Sequence, residues 1–284
     1  MDRPRQELRY VYAVTRDGRP APALPGDLHG VAGGPVDTVR HAGLTALTGP
    51  VPAAEFAEAP LRARLEDLDW LADVARAHHR VVDAATRTAG CVIPLRLATV
   101  CHDEPGVRNL LEAGRDRFTE ALDRLDGHLE WGVKVYAAAT PPPAAAVPAG
   151  GPGAAGGTDG AGSGRAYLRR RSAERRARDE RWQLARDGAR QVYEELTPLA
   201  ADTRLHAPQN TRLSGVAEPN VLNAAFLVPG AAGESFAARV RDLGGRLPAV
   251  RLELTGPWAP YSFLSPDDDP PAAAPVAGGG EGTA

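Results

Sequence analysis

The sequence predicts an α+β fold in two tandem domains, each an antiparallel sheet with helices on one face. Three observations lead there. Short Val- and Tyr-rich runs alternate with long stretches of helical period, the mixture a layered α+β fold requires. Two strand-like endings, Leu129–Ala138 (LEWGVKVYAA) and Val250–Leu264 (VRLELTGPWAPYSFL), each follow a helix pattern and set a tryptophan beside glycine or proline. Between them, residues 140–164 are almost wholly Pro, Ala and Gly. Such a segment cannot bury enough apolar surface to offset an ordering entropy of roughly 1–2 kcal/mol per residue. It reads as a flexible linker between domains at 1–139 and 165–265, and residues 266–284 read as a disordered tail of similar composition.

The elements follow in order. Leu8–Val14 alternates and is rich in Tyr and Val, a strand pattern. Val36–Val51 holds two β-like runs around His41-Ala42-Gly43, which predicts a hairpin. Leu61–Ala85 repeats apolar residues at spacings of three and four and predicts one amphipathic helix. Cys91–Val100 reads as a strand in which Pro94 removes a ladder donor, placing it at an edge or a bulge. Glu104–Leu125 returns to helical period, Asp126-Gly127 closes it, and Leu129–Ala138 is expected to end the first domain.

In the second domain Arg165–Leu196 is a long helix pattern, dense in arginine at first. Trp182, Ala185, Ala189, Val192 and Leu196 then form a seam for packing. Val221–Val228 reads as a strand, Gly233–Leu247 as a helix and Val250–Leu264 as the closing strand. The repeated arrangement predicts a ferredoxin-like duplication.

Composition narrows function. A net charge of −3 gives no overall attraction to nucleic acid or acidic lipid. The N-terminus has no apolar stretch of signal-peptide length, and no run of 18 or more apolar residues suggests a membrane span. Cys91 and Cys101 are too few for a disulfide framework, so a soluble cytoplasmic protein is expected. Lysine occurs once, at Lys134, among 33 basic residues, which reflects coding bias rather than chemistry.

Several motifs invite a site and fail on spacing. Adjacent His78 and His79 point about 100° apart on a helix and cannot ligate one metal together. Cys91, Cys101 and His102 lack zinc spacing. Residues 150–165 are glycine-rich but have no lysine and no preceding strand, as a phosphate loop would need. Glu66, Asp67, Asp69, Glu194 and Glu195 sit beside arginines as surface charge. No catalytic constellation, cofactor or metal site is expected.

Arg165–Arg190 holds ten arginines against four acids, which raises nucleic acid as a partner. Interleaved stacking aromatics are missing. Glu174 with Arg178, Arg175 with Asp179 and Arg176 with Glu180 have ion-pair spacing. A solvated face or an acidic protein partner is therefore expected there, and no nucleic acid. Trp131, Trp258 and Tyr261 are the candidate partner contacts, since the Gly256-Pro257-Trp258 and Ala259-Pro260-Tyr261 steps favour a bent, partly exposed chain end. For both tryptophans the competing reading is core packing.

Seven fragments in order, YVYAV, ARAHHRVV, IPLRLATV, GHLEWGVKVY, GRAYLRRR, NAAFLVP and LELTGPWAPYSF, resemble the gas vesicle protein GvpL/GvpF family over about residues 7–265. The resemblance implies a non-enzymatic role in gas vesicle assembly, located at gas vesicles in the cytoplasm. It also implies association with the shell protein GvpA and other accessory proteins, and two α+β domains, the first of ferredoxin-like type. The long linker and the tail depart from the family pattern. A rival reading is a small-molecule-binding regulatory protein with tandem ferredoxin-like domains.

Overall fold

The computed structural model describes residues 7–18, 24–138, 160–208 and 218–264. Two compact units emerge, Met1–Glu130 with Pro257–Ala284, and Trp131–Gly256. The first is discontinuous: the chain leaves it after Glu130 and re-enters at Pro257.

The first sheet contains β1 (Glu7–Arg16), β2 (Asp37–His41), β3 (Leu44–Pro52), β4 (Ile93–Pro94) and β5 (Val100–Cys101). Its order is β2-β3-β1-β4, and β5 also pairs with β1. All the described pairings are antiparallel. β1 lies at the centre, which explains why its apolar run is nearly continuous rather than alternating. The β2–β3 turn places Ala42 at φ 53° and Gly43 at φ 79°, the left-handed pair that a tight two-residue hairpin uses.

The helices correct the sequence reading in two places. After a short α1 (Ala53–Phe56), the single helix expected over Leu61–Ala85 is two pieces, α2 (Glu58–Arg64) and α3 (Leu68–Ala89). Asp67 causes the last break, because its carboxylate accepts from the Asp69 and Trp70 amides and starts a new helix. Leu65 and Leu68 lie at that break and are exposed, although they continue the apolar spacing. The helix expected over Glu104–Leu125 divides into α4 (Glu104–Ala113) and α5 (Arg115–Leu125) at Gly114. A Cβ at Gly114 would run into the buried Phe118 ring. The strand expected at Cys91–Val100 survives only as β4 and β5, with a turn between them at Ala98, φ 65°.

Leu8, Tyr10, Tyr12, Leu47 and Val51 pack with Phe56, Val74, Val81, Val82 and Ala85 in one core. Val11, Val14, Val39 and Ala46 alternate with that set and are buried too. α4 and α5 bring Val107, Leu111, Phe118 and Leu122 against the same strands. The first sheet therefore carries helices on its second face as well.

The second unit contains β6 (His128–Ala137), α6 (Gly160–Leu196), β7 (Asp202–Leu205), β8 (Asn220–Pro229), α7 (Gly233–Arg246) and β9 (Val250–Trp258). Its sheet order is β7-β8-β6-β9. β6, the strand expected to close the first domain, is instead an inner strand of the second sheet. Contacts of Gly132 with Thr255, Lys134 with Glu253 and Ala138 with Ala249 run in opposite senses along β6 and β9, so the two are antiparallel. This is the strand–helix–strand–strand–helix–strand order of a ferredoxin-like fold. Val133, Val135, Ala224, Phe226, Val228, Phe236, Val240 and Leu243 form its core with Ala185, Ala189, Val192 and Leu196 of α6. Each large side chain buried there contributes roughly 1.5–3 kcal/mol. β7 lies in a polar stretch with no strand pattern, and the sequence reading missed it.

The closing strand expected over Val250–Leu264 ends at Trp258, and a short 3-10 turn follows at Tyr261–Phe263. Of the linker expected at 140–164, residues 160–164 begin α6 and the rest lies outside the described residues, as does the expected tail 266–284.

Candidate functional site

Gly256, at φ 114°, and Pro257 lie near the end of β9, where the chain passes into the first unit, and Pro260 follows the strand. Ala259 and Phe263 are buried there, and Ala259 joins the core of Tyr10 and Tyr12. The segment is tied by charge as well. The buried Glu130 carboxylate accepts from the Ser262 amide and hydroxyl, both at 2.7 Å. Arg124 donates to the Phe263 carbonyl at 2.9 Å. Hydrogen bonds to a charged group are each worth roughly 1.5–3 kcal/mol, so this clamp holds the segment firmly.

Two of the three candidate contact residues meet here. Trp258, half-buried, stands edge-on to His79 with ring centroids 4.8 Å apart, and Tyr261 lies 6.4 Å from the same imidazole. Tyr261 keeps 37% of its surface exposed. Trp131 belongs to the second unit, where its ring packs on Gly233 and on Phe236. Its indole N–H is buried and has no hydrogen-bond partner. Glu130, Ser262 and Arg124 escaped the sequence reading, because Glu130 and Ser262 are 132 positions apart and share no local motif.

Tyr10, Tyr12, His78, Cys91 and Cys101 are buried in the first unit. The Tyr10 hydroxyl accepts from the Ala98 amide at 2.9 Å and meets Nδ1 of His78 at 3.0 Å. Tyr10 then donates to Nδ1, which leaves the proton of the neutral ring on Nε2. That atom is buried without a partner. Burial pulls His78 down to about 4, with His79 adding to the effect. Burial pushes Tyr12 up to about 12 and Tyr10 higher still. Cys91 and Cys101 are both buried thiols outside any disulfide, and burial with the nearby Asp103 raises the Cys101 thiol to about 11. A thiol so raised stays protonated at neutral pH and is a poor nucleophile. Among the described residues no three His, Cys, Asp or Glu side chains are grouped to hold a metal. No helix among them is long and apolar enough to cross a membrane.

The arginine-rich helix differs most from expectation. Ala185, Ala189, Val192 and Leu196 bury the expected seam, but Trp182 is exposed. Every residue from Tyr167 to Leu184 is exposed, so about five turns of α6 bury no side chain. The ion pairs expected at Glu174–Arg178, Arg175–Asp179 and Arg176–Glu180 do not form, and no arginine from Arg169 to Arg181 has an ion-pair partner among the described residues. Arg171 instead donates to the Tyr167 hydroxyl at 3.1 Å, and Arg170 stands over the Tyr167 ring at 5.8 Å.

Comparison with known proteins agrees with this architecture. A family model described as "Gas vesicle synthesis protein GvpL/GvpF" matches residues 8–265. The chain is 55% identical over 258 residues to gas vesicle protein L of Streptomyces sp. (strain CB03234), covering 90% of this chain and 92% of that protein. Gas vesicle protein F of the same strain is 27% identical over 264 residues, covering 90% and 98%. Among solved structures, GvpF from Anabaena sp. PCC7120 superposes with a TM-score of 0.61 at 19% identity, covering 91% of this chain and 96% of that one. GvpF from Microcystis aeruginosa gives 0.59 at 17% identity, covering 91% and 99%. These two likenesses speak for the fold, and the family match over most of the chain speaks for descent. The chain belongs to the gas vesicle synthesis protein GvpL/GvpF family.

Proposed function

We propose that this protein serves gas vesicle assembly by binding rather than catalysis, holding the shell protein GvpA and other accessory proteins at the growing vesicle in the cytoplasm. The family match over residues 8–265 carries the reading. The sheet edges suggest a route, because a strand at an edge offers unpaired N–H and C=O groups to an incoming β-rich subunit.

The edges are not equivalent. β4, where Pro94 suggested an opening, is two residues long and buried. On β2, Asp37 is paired with Arg9 and His41 is hydrogen-bonded to Glu112. On β7 the Asp202 carboxylate takes the Thr203 amide and Arg204 takes the Thr203 carbonyl. β9, nine residues long and last in the order of its sheet, is the edge best suited to strand addition. In this reading Trp131, Trp258 and Tyr261 are secondary contacts, with Tyr261 the most accessible of the three.

The test is co-expression of tagged chain with GvpA, followed by pull-down. GvpA is expected with the wild type and with Leu252→Ala, and lost with Leu252→Pro, which removes an edge donor. Equal capture by both variants would remove β9 from the account, and no capture by the wild type would sink the binding role.

A further inference from the structure

We propose that the exposed half of α6, with the groove at its base, is a docking surface for an acidic amphipathic segment of a partner protein. This goes beyond the role in vesicle assembly and does not depend on which protein supplies the segment. From Tyr167 to Leu184 every residue of the helix is exposed, and its arginines have no ion-pair partner among the described residues. A helix that is polar all round depends on side-chain pairs along its surface or on a partner, and here like charges such as Arg171 and Arg175 lie one turn apart. Tyr167, Leu168, Trp182 and Leu184 are exposed on it as well. An acidic segment relieves the repulsion and covers apolar surface at once.

The groove selects the face. It has a volume of about 580 Å³ and is lined by Leu184, Gly188 and Gln191 on the helix and by Leu247, Pro248 and Ala249 opposite. Helical spacing extends that face along the exposed turns as Glu180, Ala177, Arg176, Ala173 and Arg169. Two alanines allow close approach by another helix. Arg169 stands about 22 Å from Leu184 along the axis. The charges also set direction. Asp187, Arg190 and Glu194 border the groove; Arg190 pairs with Asp187 at 3.2 Å and Glu194 leaves the rim negative, so the acidic end lies along Arg169 and Arg176 and the apolar end enters beside Leu184 and Leu247. The same carboxylates oppose a continuous phosphate backbone. The Tyr167 ring, occupied by Arg170, offers no open platform for a base.

The test uses the full chain and fluorescence anisotropy. One probe is a labelled synthetic helical peptide with glutamates in its first half and leucines in its second. The other is a single-stranded oligonucleotide of equal charge. The peptide is expected to bind, about tenfold or more weakly to Arg169→Glu/Arg176→Glu and to Leu184→Asp, and within about threefold of wild type to Arg171→Glu/Arg178→Glu on the opposite face. Circular dichroism verifies that each variant is folded. Tighter binding of the oligonucleotide, equal losses from the two charge-reversed pairs, or no peptide binding would each overturn the proposal.

Discussion

His78 shows how a single side chain couples packing to pH. Its ring is buried against Tyr10 and Tyr12 and meets the Tyr10 hydroxyl, so the neutral form fits and the charged form does not. Its folded value of about 4 lies below the ordinary 6.5. The unfolded chain therefore takes up the proton first, and acid favours unfolding. The stabilisation is complete above pH 6.5 and is lost as pH falls towards 4, amounting to roughly 3 kcal/mol. Replacing His78 with Asn, which keeps an acceptor for Tyr10 without titrating there, should flatten urea stability across that window. The same pH dependence in both proteins would assign the effect to other groups. At this scale the sequence disclosed that two adjacent histidines diverge on a helix. It could not disclose which one is buried, because that depends on Tyr10 and Tyr12, more than sixty positions away.

Among the elements, periodicity was read correctly and boundaries were not. Leu61 to Ala85 keep an apolar spacing straight through a break, since the spacing records which faces are greasy and not where the backbone changes direction. Asp67 decides the boundary by capping two amides. Asp67→Ala should cost roughly 0.5–2 kcal/mol in thermal or chemical unfolding, and an unchanged midpoint would mean that α3 is held by packing alone. α6 teaches the converse. One helical pattern covers two different situations, a packed half with Ala185, Ala189, Val192 and Leu196 against a sheet, and an exposed half held out by its own backbone bonds. The i,i+4 spacing permitted the ion pairs but did not guarantee them, because a long side chain loses rotamer freedom to close a weak exposed pair.

For the whole molecule, the exchange of segments is the main result. The second unit, Trp131–Gly256, is continuous in sequence, whereas the first requires Pro257 onward. Expressed alone, residues 131–256 should unfold cooperatively. Residues 1–130 alone should be less stable, because the places of Ala259 and Phe263 in the interior are empty and Glu130 has lost Ser262. A synthetic peptide of residues 257–264 should restore that stability, and its failure to do so would show that the clamp is dispensable. The sequence by itself determined the kinds of elements, the two antiparallel sheets and the family, since alternation, helical period and ordered motifs are all local. Only the tertiary structure decided that LEWGVKVY joins the second sheet and that WAPYSF returns to the first unit. Strand alternation is the same whichever sheet a strand enters, and the choice rests on long-range hydrogen bonds and shared burial such as Glu130 with Ser262.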